Sequence, residues 1–258
     1  HSAKCLNCKV LLYYPYPSES ELQNAPANDY YSWYNLSFDK NITNFIEMIK
    51  FTVNRSNYSK KIKVLDYGGG SGQFALIFKS LFPSADVFIV DIDDTGLFSQ
   101  FKSLNNQILF KNFSLDENKF DYIFLNDVYE HVDDPIKVLK TLKAKLNSEG
   151  LIFIDTPKHF WIYPFFQFFS KKIYLKLLQG TVSLSHLQIW SLKSFEISVT
   201  KAGMKIDKIK LLSEFTMTPD YYLSNMKFKN KVVINFFTFI FFVVKKTFKN
   251  KIFSTLKK

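Results

Sequence analysis

A chain of 258 residues with 47% apolar side chains can bury a full core and is too apolar to be mostly disordered, so a soluble α/β domain with appendages is the starting expectation. Its two cysteines, Cys5 and Cys8, cannot build a disulfide framework, and no succession of charged, apolar and small residues reads as a secretory leader; a reducing, cytoplasmic setting is the expectation. The net charge of +11 is uneven, because residues 201–258 carry 13 Lys against Asp207, Glu214 and Asp220. That basic tail on a nearly neutral body expects an anionic surface or partner for the tail and says little about the body. The first residue is His1 rather than Met, so the chain reads as a possible fragment.

Residues 1–37 are rich in Tyr, Pro, Ser and Asn without a sustained period and predict an irregular arm. Asp39 or Asn41 then caps a helix running to about residue 56. From residue 60 onward apolar runs alternate with helical patterns: strands over 63–67, 86–90, 107–110, 122–126 and 151–155, helices over 72–81, 95–103 and 134–147. Short apolar strands separated by helices predict a parallel sheet covered on both faces, the doubly wound α/β class, with strand order left open. Asp133-Asp134-Pro135 supplies cap residues and a first-turn Pro for the helix over 134–147, and Gly150 is placed as that helix's C-cap. A last helix over 192–201 ends at Gly203, and a strand resumes over 204–212. The domain division is an arm at 1–37, a body at 38–213 carrying an insertion at 157–190, and a tail at 214–258.

In Val64-Leu65-Asp66-Tyr67-Gly68-Gly69-Gly70-Ser71-Gly72 an apolar strand runs into glycines and then a helix, at the sheet edge where open α/β folds bind ligands. Glycines permit positive φ and close approach of a ligand to the backbone, and the N–H groups of the next helix favour a carboxylate or phosphate. A plain tight turn is also written with glycines. Two rivals fail on spacing. Counted from Gly68 and Gly70, the third glycine of the dinucleotide fingerprint falls on Gln73, and no Gly-Lys-Ser/Thr follows as a P-loop requires. The spacing present is D-x-G-x-G-x-G, from Asp66 through Gly68, Gly70 and Gly72. One strand later, Val87-Phe88-Ile89-Val90-Asp91 ends in an acid able to accept hydrogen bonds from both hydroxyls of a ribose. Asp93 or Asp94 are alternatives for that role, and a helix-capping Asp is the structural one.

The D-x-G-x-G-x-G loop resembles motif I of the class I methyltransferases. The stretch from Phe120 through Asn126, Glu130 and His131 to Pro135 resembles the fourth-strand motif of the same superfamily, with Tyr129 where Leu is usual. Ser185-His186-Leu187-Gln188-Ile189-Trp190-Ser191, followed by Phe195 and Ala202-Gly203-Met204, is similar to a segment of the quinone-type and glycan-locus methyltransferases. The resemblance spans roughly residues 60–212 and implies a Rossmann-like, mostly parallel sheet, S-adenosyl-L-methionine as cofactor and methyl transfer as activity. It implies Asp66 and the backbone of Gly68, Gly70 and Gly72 at the methionine end of the cofactor. Asp91 with the adjoining Ile92 would meet the ribose, Asn112 or Phe113 the adenine, and Asn126 the methionyl edge. Methyl transfer from a sulfonium is an in-line displacement, so the protein aligns the nucleophile and removes its proton where needed. The candidate bases are His186, on the segment joining the fold to a cap, then His159 and His131. Some quinone O-methyltransferases use a divalent ion, but Glu130-His131 without a third ligand at a recognised spacing reads as structural, so no metal is expected.

Cys5-x-x-Cys8 followed by Tyr13-Tyr14-Pro15-Tyr16-Pro17 resembles the second half of a zinc ribbon that precedes some sugar and glycan-locus methyltransferases, with Lys9 in place of a Gly. Two thiolates do not close a tetrahedral site, and no metal is expected here either. The densely aromatic stretch 160–178 suits a lid on the acceptor site or an ordinary core helix. In the tail, 232–244 is uncharged; at 1.5 Å per residue its helix spans about 20 Å, too short to cross a bilayer. Lysines beside it suit an in-plane helix on an anionic membrane surface, with packing on this domain or a second subunit as the alternative; the nucleic-acid reading lacks a binding signature. The expected function is methyl transfer to a hydroxyl, or less favourably a carbon, of a sugar in a surface glycan or its lipid-linked precursor. A quinone-pathway O-methyltransferase and a non-catalytic cofactor-fold module are the alternatives. The setting expected is cytoplasmic, peripheral on the inner membrane face, with oligomeric state left open.

Overall fold

The computed structural model describes residues 2–18, 20–21, 38–54, 61–91, 108–109, 119–159, 186–212, 235, 238–239 and 249–258. The body is a seven-stranded sheet made of β3 (Lys63–Tyr67), β4 (Asp86–Val90), β5 (Ile108–Leu109), β6 (Phe120–Asn126), β7 (Leu146–Pro157), β9 (Lys205–Leu212) and β10 (Lys251–Lys257), in the order β5-β4-β3-β6-β7-β10-β9. The first five strands of that order pair in parallel, and β10 is antiparallel to both neighbours. Strand succession turns around between β3 and β6, which opens a ligand crevice at their carboxyl ends.

Period-two alternation divides the core. Val64, Tyr122, Phe124, Phe153 and Phe253 face one side, with Phe45, Met48 and Ile49 of α1 (Phe38–Thr52) and Phe74, Ala75 and Phe78 of α2 (Gln73–Leu81). Leu65, Ile123, Leu125, Ile152, Ile154, Ile252 and Leu256 face the other, under Leu139 and Leu142 of α3 (Pro135–Lys145) and Phe195 and Val199 of α4 (Leu192–Lys201). The first layer is largely aromatic, the Phe74 and Phe124 rings meeting at 4.6 Å and Phe124 and Phe153 at 5.5 Å. Each such fully buried ring stabilises the fold by roughly 1.5–3 kcal/mol.

Local chemistry sets the helix ends. The Asp134 side chain accepts from Lys137 N at 2.9 Å with Pro135 in the first turn, and Ser191 and Ser194 form a reciprocal capping box on α4. Gly150, expected as the C-cap of α3, lies instead inside β7. The helix stops at Lys145 because Leu146 at once pairs with Phe120, and the next pair is Tyr122 with Leu151, leaving residues 147–150 as a bulge. A Cβ on Gly150 would sit 2.9 Å from Phe120 O, so the close backbone approach requires the glycine.

Both ends of the chain differ from expectation. The irregular arm contains a hairpin, β1 (Ser2–Lys4) and β2 (Leu11–Tyr13), which a further strand, β8 (Gln188–Ile189), extends to three strands. The basic tail, expected to be helical and outside the body, returns as β10 between β7 and β9, so the body extends past residue 213. Residues 251–256 are buried in succession because both faces of that strand are covered, and Ser254 Oγ donates to Lys208 O at 3.0 Å. Within the apolar run, Asn235, Thr238 and Phe239 are helical and Phe239 is exposed. No helix among the described residues is long and apolar enough to cross a membrane. The helix expected over 95–103 and the stretch 160–178 lie outside the described residues.

Candidate cofactor and active site

The turn after β3 is written in left-handed backbone: Gly68, Gly70 and Gly72 have φ of 75°, 51° and 80°. Gly68 N donates to Val90 O at 2.7 Å and Gly70 N to Asp91 Oδ2 at 2.7 Å, tying the bend to the end of β4. Space is also restricted. A Cβ on Gly68 would lie 2.4 Å from Val128 Cγ2, and one on Gly69 2.7 Å from Asp66 Oδ2. The loop, Asp66 and Asp91 therefore form one contiguous group at the switch point.

Asp66 is buried at the end of β3, and its Oδ2 has no hydrogen-bond partner in the protein. Desolvation, then the charge of Asp91, pushes its carboxyl up to about 8. Asn126 is likewise buried at the end of β6, with neither amide atom hydrogen-bonded to protein. Unpaired buried polar atoms of this kind cost about 1–3 kcal/mol each. Two of them flanking a glycine bend suit an occupant carrying both an ammonium and a carboxylate, as the methionine end of S-adenosylmethionine does. Ile92, Asn112 and Phe113, with Asp93 and Asp94, lie outside the described residues.

The next segment turns sharply at Asp127, whose φ is 51°. It carries Tyr129, Glu130 and His131. Tyr129 is fully buried, stacks on Trp190 at 4.8 Å and donates its hydroxyl to Ser198 Oγ at 2.9 Å, which accounts for a tyrosine where the related motif has Leu. Glu130 is also buried, with Thr156 Oγ1 donating to its Oε2 at 2.9 Å; burial, then the charge of Asp127, raises its carboxyl to about 8. Glu130 Oε1 lies 3.9 Å from His131 Nε2, and the His131 and His186 rings are 4.9 Å apart. Desolvation, then the charge of His186, lowers His131 to about 4 and keeps it neutral. Two of the three candidate bases are thus brought together. His159 follows β7, its N–H donating to Trp190 O at 2.9 Å, and is outside that group.

Sequence reasoning missed an ionic group beside this one. Lys251, 8% exposed at the start of β10, places its Nζ 2.7 Å from Asp155 Oδ2 and 3.3 Å from Asp127 Oδ1. Asp155 is readable as the end of a strand, but nothing local to Lys251 announces its partners. Two open grooves of about 340 and 370 Å³, one at Phe51, Lys210 and Phe253 and the other at Tyr67, Asp134 and Lys137, are not lined by Asp66, Asn126 or Glu130.

A family model described as a methyltransferase domain matches residues 43–209, more than half of the chain, which therefore belongs to the methyltransferase-domain family. It is an enzyme of the S-adenosylmethionine-dependent kind, with that molecule as cofactor. The chain is 37% identical over 94 residues to the tRNA U34 carboxymethyltransferase of Campylobacter jejuni, covering 32% of this chain and 30% of that protein. With its Nautilia profundicola counterpart the figures are 32% over 125 residues, 44% and 41%. The chain thus aligns with less than half the length of these curated relatives. Among solved structures, the plantazolicin methyltransferase BpumL in complex with SAH superposes with a TM-score of 0.56 at 21% identity, 93% of each chain covered. Mycolic acid cyclopropane synthase CmaA1, complexed with SAH and CTAB, gives 0.59 at 11% identity with 84% of each covered. These two likenesses concern the fold.

Proposed function

We propose that the chain methylates a hydroxyl on a sugar of a surface glycan or of its lipid-linked precursor. One observation carries this reading: the two segments that resemble glycan-locus methyltransferases form one built unit. Leu11 and Leu12 of the cysteine hairpin pair with Ile189 and Gln188, Tyr13 N donates to Leu187 O at 2.9 Å, and Ser191 Oγ donates to Cys8 O at 3.1 Å. The hairpin thereby braces the segment on which His186 sits.

When bound, S-adenosylmethionine supplies an electrophilic methyl group on a sulfonium. Asp66 and Asn126 would hold its methionine end against the glycine bend, Asp91 with Ile92 would meet its ribose, and Asn112 or Phe113 its adenine. His186, beside the neutral His131, takes the acceptor hydroxyl's proton as the displacement proceeds.

Incubating the purified chain with methyl-labelled cofactor and a panel of sugar nucleotides, lipid-linked oligosaccharides, quinol precursors and tRNA tests the acceptor. Label in a base-stable ether on a sugar is expected. Label confined to tRNA would refute this reading and favour a nucleic-acid acceptor, a second reading supported by the names of the relatives above and by the basic tail. We also place the enzyme in the cytoplasm, on the inner membrane face, through the helical part of the tail. Lys245→Glu with Lys246→Glu should release the chain from anionic vesicles in co-sedimentation, and unchanged binding would remove the membrane from the reading.

A further inference from the structure

Acidic groups crowd the carboxyl edge of β6 and β7. Lys251 lies against Asp155 and Asp127, while Glu130 Oε2 accepts from Thr156. Its Oε1 is buried without a hydrogen-bond partner and points towards His131 Nε2 at 3.9 Å, too long for a hydrogen bond. His186 closes the group: one ligand atom each from Glu130, His131 and His186 lie within 4.8 Å of one another.

We propose that Glu130, His131 and His186 bind one divalent transition-metal ion whose open coordination positions face the acceptor. Nitrogen and oxygen ligands sit about 2.0–2.2 Å from such an ion, so in a tetrahedral site two of them are about 3.3–3.6 Å apart. Glu130 Oε1 and His131 Nε2 are 3.9 Å apart and all three ligand atoms lie within 4.8 Å, so side-chain rotations of no more than about 1.5 Å close the group. Two imidazoles and one carboxylate suit zinc, iron, cobalt or nickel, whereas magnesium and calcium take oxygen ligands. Three protein ligands leave a position open, as catalytic rather than structural sites do. Thr156 is the partner that fixes the carboxylate, the part outer groups play around ligating side chains. The third ligand comes from 55 residues downstream of His131, which is why the Glu-His pair by itself did not read as a metal site. The ion's place beside the acceptor rests on the acceptor reading above; its binding does not. With the ion bound, His186 would be a ligand in place of the base, and the ion would acidify the acceptor hydroxyl so that its proton leaves to solvent.

The test uses the whole chain carrying Cys5→Ser and Cys8→Ser, so that thiolates contribute nothing, titrated with Co(II) and followed by visible absorption and calorimetry. One ion per chain is expected, with affinity reduced at least about tenfold by Glu130→Gln or His186→Ala and about 10–100-fold by Thr156→Val. S-adenosylmethionine binding, measured on the same samples, reports that each variant is folded. No uptake by the cysteine-free chain, or uptake unchanged in folded His186→Ala, overturns the site. Failure of the acceptor reading is distinct: it is absence of transfer to sugars by a chain that still takes up Co(II).

Discussion

Placing a methyl group on Gly68 perturbs the bend in two separable ways. The residue has a φ of 75°, and an L side chain in left-handed backbone costs about 1–2 kcal/mol. Its Cβ would also stand 2.4 Å from Val128 Cγ2. Relieving that overlap means shifting either the bend or the Asp127–Val128 turn, and overpacking of this kind costs about 1–3 kcal/mol. Gly68→Ala should therefore destabilise the chain by about 2–5 kcal/mol in urea unfolding. Val128→Ala should remove the steric part and leave the backbone part, so the double variant recovers about 1–3 kcal/mol relative to the sum of the singles. Cofactor affinity should follow the same pattern, because Gly68 N and Gly70 N are anchored to Val90 and Asp91 and move with the bend. A Gly68→Ala loss below about 0.5 kcal/mol, or additive behaviour of the pair, would refute the claim that the bend is wedged against Val128.

Four further outcomes are expected. Gly70→Val, at φ 51°, should abolish S-adenosylmethionine binding in calorimetry, and Asp91→Ala should weaken it by about 1.5–3 kcal/mol. Asp66 has a folded value of about 8 against an ordinary 3.8, so the free folded chain keeps a proton that the unfolded chain has lost. Its contribution to stability is fully present below the unfolded value and is lost as pH rises from about 4 to about 8; unfolding midpoints across that range should change less in Asp66→Asn. Lys251→Met leaves two acids without their ammonium at a buried site, and chemical denaturation should show a loss of about 3–5 kcal/mol that Asp155→Asn partly restores.

Legibility followed locality. The glycine bend, the Asp134 cap and the helix ended by Gly203 are written within a few residues of where they act, and all three stand as read. The β7 bulge is not local: Gly150 looks like a helix stop until Phe120 is seen to occupy the space its Cβ would need. Nor is β10, whose Ile252-Phe253-Ser254-Thr255-Leu256 core is flanked by lysines that argue for an exposed tail, while the pairing that buries it comes from β7 and β9. At the site, Asp66 and the loop were readable from spacing, while Asn126 was named only through the resemblance. The meeting of His131 with His186, and of Lys251 with Asp127 and Asp155, depends on which strands become neighbours, and hydrophobic period carries no strand order.

Because β10 enters between two strands made before it, synthesis passes through a stage in which β7 and β9 each present an unpaired border to other chains. Borders of that kind invite association between nascent copies, and closing them waits on a contact of long sequence separation. The same latecomer brings one ammonium to Asp155 and Asp127, so the acidic edge loses part of its charge in the act of sealing the sheet. A short peptide spanning 249–258, supplied in excess to a chain ending before it, is thus the natural donor for rebuilding the protein from two pieces.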